Sequence, residues 1–191
     1  MILDKKTQIL VAARPLFSQY GLKKTTTDDI ARRAHISKAT IYRYYSNKQE
    51  VFNDIIDGQI KQLFAAISIA VNDESSAVGK LRACLLSRMR RSRELARLLQ
   101  INRKDFGENW RQGAEFQEQI LDREKKIITD ILGFGESSGE LQIKNAELTA
   151  HLMVVSVQSI EYSWIFGSLN VAQSVYVDHI LNVIINGIRK R

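Results

Sequence analysis

Apolar residues recur along this chain at helical spacing, and no stretch shows the alternation of a strand. Ile9, Leu10, Ala13, Leu16 and Phe17 form the first stripe, predicting an amphipathic helix over Lys5 to Tyr20. Pro15 lies inside that stripe and removes one backbone donor, so a local bend is expected there. Gly21 follows as a C-terminal cap. A short second helix begins at Thr27, taken as its N-cap, with Asp28 and Asp29 serving the helix start and Ile30, Ala31 and Ala34 on its apolar side. His35-Ile36-Ser37 breaks the pattern, and Ser37 is placed to cap a third helix over Lys38 to Tyr45. Val51, Phe52, Ile55, Ile56, Ile60, Leu63, Phe64 and Ile67 predict a long fourth helix from Lys48 into the seventies. It ends in the polar run Asn72-Asp73-Glu74-Ser75-Ser76. Five more helices are expected at roughly 77–90, 93–104, 109–133, 146–166 and 172–188, with a glycine-rich loop at 133–139. The pattern therefore predicts an all-α chain of about nine helices, a small three-helix head followed by a larger helical body.

Composition changes this picture in two places. The chain has 191 residues and a net charge of +7, enough length for a proper core. Residues 1–48 carry ten Lys or Arg against three Asp or Glu, while the remainder carries eighteen of each. The whole cationic excess lies on the head, the electrostatic footprint of a nucleic-acid-binding end. A single cysteine, Cys84, has no internal disulfide partner and sits among leucines, which suits a buried thiol and a reducing, cytoplasmic setting. No run of eighteen apolar residues suggests a membrane span, and Met1 to Asp4 shows no signal-peptide pattern.

Two short helices joined by a tight turn make a helix-turn-helix, whose second helix enters the major groove. Here that helix is dense in groups that reach nucleic acid: Lys38, Thr40, Tyr42, Arg43, Tyr44 and Tyr45. The residues Leu16-Phe17, Gly21, Thr26-Thr27, Ile30-Ala31, Ala34, Ser37, Tyr42, Tyr44-Tyr45 and Lys48 stand in the register of a known pattern. In this the chain resembles the tetracycline-repressor-like (TetR) family of bacterial transcriptional regulators over residues 9 to about 52. One departure is His35, where the family usually has glycine.

The resemblance implies a DNA-binding domain at 1–47 and a regulatory and dimerisation domain at 48–191. Thr27, Tyr42 and Lys48 are expected at phosphates. Lys38, Ala39, Thr40 and Tyr44 are expected at base edges, where lysine reads guanine and the alanine or threonine methyl meets thymine. Ser37 completes the DNA-binding set, and Arg43 is either a phosphate contact or a solvated charge. Tyr45 reads as core. The implied function is a repressor that binds a palindromic double-stranded operator as a homodimer and is released by an unknown small-molecule effector. The alternative is an architectural or partner-controlled DNA-binding protein without such a ligand.

Dimerisation is expected through the last two helices, where Val175, Val177, Ile180, Leu181, Val183, Ile184, Ile185 and Ile188 join Leu148, Leu152, Val155, Ile160 and Trp164. A ligand site in the body draws His151, Val155, Gln158 and Tyr162, which share a helix face, toward walls of Leu85, Met89, Phe106, Trp110 and Phe116; the methionine and aromatics are equally readable as plain core. Arg88, Arg90, Arg91, Arg93 and Arg97 read as a solvated face, with an anionic-ligand site as the alternative. His35, His151 and His179 lie too far apart for metal-ligand spacing, and no catalytic residues, cofactor or metal are expected.

Overall fold

A computed structural model describes residues 4–98, 110–165 and 171–188, and within them every regular element is helical. The helices are α1 (Lys5–Lys24), α2 (Thr27–Arg33), α3 (Lys38–Tyr42), α4 (Lys48–Asn72), α5 (Ala77–Leu98), α6 (Trp110–Ser137), α7 (Ala146–Ile165) and α8 (Gln173–Ile188). Eight helices thus stand among the described residues where the pattern suggested about nine. The difference comes from α5, which runs unbroken through the expected gap between 90 and 93. The arginines there are good helix formers, and the segment holds no glycine or proline to break the helix at Ser92. Likewise α6 continues past Gly133 and Gly135 to Ser137. Gly135 leaves room for its neighbours, since a Cβ on it would fall 2.5 Å from the Leu141 side chain.

The described residues divide into two compact units, one of 4–62 with 94–98 and one of 63–93 with 110–165 and 171–188. In the first, Ile9, Ala13 and Phe17 of α1, Ile30 and Ala31 of α2, Ile41 of α3 and Val51, Phe52 and Ile56 of α4 are buried. The rings of Phe17 and Phe52 meet edge to face at 5.3 Å. In α1 the residue that leaves helical dihedrals is Gly21 (φ 76°), not Pro15. The Thr25 amide then donates to the Gly21 carbonyl.

The second unit buries Leu81, Cys84, Leu85 and Met89 of α5, Ile120, Ile128 and Leu132 of α6, Met153, Val154 and Val157 of α7, and Val177, Leu181 and Ile185 of α8. Here α6 and α7 lie against each other. The Glu140 carboxylate accepts from the Ala77 and Val78 amides and so caps the start of α5. Arg82 grips Asp178 with two donors, tying α5 to α8. One reading of the basic run is corrected. Arg88 is not solvated: it is buried and paired with Glu124, which is buried on α6. Arg90 is exposed, and the side chains of Arg91, Arg93 and Arg97 lie outside the described residues.

Candidate nucleic-acid interface

The head is set by its caps. At the start of α2 the N-cap is Thr26 rather than Thr27, because Thr26 has extended backbone while Thr27 is already helical. Its hydroxyl accepts from the Asp29 amide at 3.1 Å. The Asp29 carboxylate accepts from the Thr26 amide at 3.0 Å and hydroxyl at 2.6 Å, completing a capping box. Those bonds hold the Asp29 carboxyl below its ordinary pKa. Thr27, half-buried at the first helical position, keeps its place at the N-terminus of α2.

The turn between α2 and α3 is a Schellman closure. The Ile36 amide donates to the Ala31 carbonyl and the His35 amide to that of Arg32. His35 occupies the left-handed position with φ 52°, as its place in the motif required. From α1, Gln8 donates to the Ala34 carbonyl at 2.6 Å and fixes the end of α2. Ser37 then caps α3, its hydroxyl accepting from the Thr40 amide at 3.1 Å. Regular helix ends at Tyr42, short of the expected Tyr45, yet the Arg43 and Tyr45 amides still donate four residues back.

Two faces result. Ile41 and Tyr45, four apart, are buried. Lys38, Ala39, Tyr42, Arg43 and Tyr44 are exposed, with half of Tyr42 in solvent, and Thr40 is half-buried. Tyr45 donates its hydroxyl to Asp54 of α4 at 2.7 Å, and Lys6 of α1 reaches the same carboxylate at 2.9 Å. This three-way contact, invisible in the sequence, pins the end of α3 to α1 and α4. Burial and the Asp54 charge push the Tyr45 hydroxyl well up, and the two donors hold the Asp54 carboxyl low.

Lys48 sits at the first turn of α4 and donates to the Lys23 and Thr25 carbonyls at 3.1 and 2.8 Å. Its ammonium therefore clamps the α1–α2 junction and keeps one of its three donors for an outside acceptor. Lys38 is paired with Asp28 at 3.0 Å, which raises its pKa and keeps it charged. Asp28 and Asp29 both lie in the first turn of α2, as expected; Asp29 closes the capping box, and Asp28 also reaches Lys38 of α3.

The residues expected around a ligand differ in their exposure. Leu85 and Met89 are buried in the body, and Phe116 and Gln158 are half-buried. His151 and Val155 lie on the outer side of α7 beside exposed Leu148 and Leu152. The face chosen for its polar groups is the outward one, because Ala150, Met153, Val154 and Val157 fill the inward one. Phe106 lies outside the described residues, as do the side chains of Trp110 and Tyr162. Of the expected dimer set, Val177, Leu181 and Ile185 are buried within the chain, Val175 and Val183 are exposed, and Ile180 and Ile184 are half-buried. The Ile160, Trp164 and Ile188 side chains are not among those described.

Other chemistry is thin. Cys84 is buried and its thiol is pushed up to about 12 by burial, so it holds little thiolate. Among the described residues no group of His, Cys, Asp or Glu could hold a metal ion, and no helix is long and apolar enough to cross a membrane.

Residues 9–55 match the model of bacterial regulatory proteins of the tetR family. Over 168 residues the chain is 30% identical to the HTH-type transcriptional regulator YhgD of Bacillus subtilis, covering 86% of both chains. This chain belongs to the TetR family. It is a DNA-binding transcriptional regulator, and its head is the helix-turn-helix of that family. The TetR fold extends over the body. A transcriptional regulator from Cytophaga hutchinsonii superposes with a TM-score of 0.77 at 23% identity, over 97% of this chain and 99% of that one. FadR of Bacillus subtilis, solved in complex with stearoyl-CoA, gives 0.74 at 20% identity, over 97% and 100%.

Proposed function

We propose that this TetR-family regulator is a repressor that binds a palindromic operator as a homodimer and releases it when a small molecule occupies the body. The outward face of α3 and the turn after it carry this reading: Lys38, Ala39 and Tyr42 on the helix and Arg43 and Tyr44 just past it stand exposed, while Ser37 caps the helix and Ile41 and Tyr45 are buried. Residues 1–47 are the DNA-reading part and 48–191 the regulatory and dimerising part. Thr27, Ser37, Tyr42, Arg43 and Lys48 meet phosphates, and Lys38, Ala39, Thr40 and Tyr44 meet base edges.

One head reads a few base pairs, so a palindrome needs two heads about one turn apart, ~34–36 Å. Leu148, Leu152 and Val155 on α7 and Val175 and Val183 on α8 are exposed apolar side chains at helical spacing. Pairing both helices across a two-fold axis buries them. His151 shares that face and is reassigned from the pocket to the interface. For the effector, Leu85, Met89, Phe116 and Gln158 remain as lining. FadR's complex with stearoyl-CoA makes long-chain acyl-CoA thioesters the first probes.

The test is selection of duplexes from a random pool with the full-length protein. An inverted repeat is expected, and Lys48→Ala/Tyr42→Ala should lose affinity for every sequence with a shallower salt slope. Equal affinity of that variant and wild type on the selected duplex refutes the assignment. In sedimentation, Leu152→Glu/Val183→Glu should give monomers that no longer hold the operator. A stable wild-type monomer at micromolar concentration overturns the dimer.

A further inference from the structure

Two acidic residues open α2, and they act differently. Asp29 closes the capping box with Thr26. Asp28 takes no part in it: its Oδ2 lies 3.0 Å from Nζ of Lys38, at the first position of α3. Both side chains are open to solvent, 58% for Asp28 and 46% for Lys38. An exposed ion pair adds little to stability. A carboxylate near a polyanion also lowers affinity through repulsion. Its place in the first turn of α2 suits the helix dipole, but that role does not require the contact with the first residue of the recognition helix.

We infer that Asp28 is a specificity-determining residue, which holds the Lys38 ammonium for base edges and keeps it from settling on a phosphate. The inference rests on the DNA-binding reading of the head given above. A lysine ammonium is a compact charge on a flexible stem, and near DNA it is drawn to phosphates. Phosphate contacts add affinity without sequence information. Tied to Asp28, Lys38 still has two of three donors for guanine O6 and N7. Its side chain is also partly ordered before binding, which lowers the entropic cost of a directed contact. The carboxylate meanwhile cancels one charge that would favour any duplex equally.

The experiment compares full-length wild type, Asp28→Ala, Lys38→Ala and the double variant. The probes are a duplex selected by wild type from a random pool and a scrambled duplex of the same composition. Asp28→Ala should bind the scrambled duplex more tightly, and its selected-to-scrambled affinity ratio should fall at least fivefold. Its salt slope should steepen by about 0.9 for each head as Lys38 takes a phosphate. Raising salt from 50 to 200 mM then weakens it about 3.5-fold more per head than wild type. Sequences selected by Asp28→Ala should lose a guanine preference at one position per half-site, and Asp28→Glu should restore part of it. On the Lys38→Ala background, removing Asp28 should leave slope and ratio unchanged. Equal tightening on that background means plain charge repulsion and overturns the inference. So does a wild-type ratio and slope in Asp28→Ala. The Lys48→Ala/Tyr42→Ala variant separates the two failures. If it loses binding while Asp28→Ala is silent, only the Asp28 role falls; if it binds normally, the DNA-binding reading of the head falls with it.

Discussion

Replacing Glu124 with leucine removes half of a buried ion pair and tests how the body is held together. Glu124 on α6 is 1% exposed and Arg88 on α5 is 8% exposed, so both charges have left water almost completely. Each carries a desolvation penalty of several kcal/mol, offset only by the partner and by hydrogen bonds. Glu124→Leu leaves the guanidinium buried without that carboxylate, at a cost of about 3–5 kcal/mol. For a chain of 191 residues, each kcal/mol moves the midpoint by about 2–4 °C, so Tm should fall by roughly 6–20 °C. Arg88→Met/Glu124→Leu, which removes both charges and keeps most of the volume, should recover to wild type or rise above it by about 1–4 kcal/mol. Thermal and urea melts at one fixed protein concentration measure this, so that any self-association weighs equally on every variant. A Glu124→Leu cost under about 1 kcal/mol would show that water reaches the pair. A double variant as unstable as the single would show that the site needs the charges themselves. Either result refutes the reasoning.

Two further outcomes follow from the head. Thr26→Ala should cost about 1 kcal/mol through loss of the capping box, while Thr27→Ala should leave stability near wild type and weaken DNA binding; chemical melts and binding titrations separate the two. Asp54 has a folded pKa below its ordinary 3.8, because Tyr45 and Lys6 both donate to it. Its stabilisation is therefore complete above about pH 4 and is lost as pH falls through the lower folded value. Tyr45→Phe should narrow that acid dependence, and an acid melt identical to wild type would exclude the contact.

The sequence by itself determined the class of fold and the identity of the reading head. Apolar spacing over α4 is long and regular, so that helix is legible along most of its length. Ser37 and the His35 turn were legible because caps and left-handed positions act on one or two neighbours. The cap of α2 was misplaced by one residue, since Thr25, Thr26 and Thr27 all carry the right hydroxyl and only the backbone selects among them. Thr25 in fact turns inward, to the Leu16 carbonyl, which the pattern gave no means of knowing.

Tertiary structure decided the pairings. Asp28 meets Lys38 across ten residues, Lys48 meets Lys23 and Thr25 across more than twenty, and Arg88 meets Glu124 across two helices. Charges this far apart in sequence leave no periodic trace, and a buried arginine looks the same in one dimension as a solvated one. The face of α7 shows the same limit. His151, Val155 and Gln158 share a spacing, but His151 and Val155 lie on the outward side with Leu148 and Leu152 while Gln158 is half-buried, and spacing alone cannot tell inward from outward. That distinction comes from which side meets α6, where Met153, Val154 and Val157 are buried, because only packing removes a side chain from water.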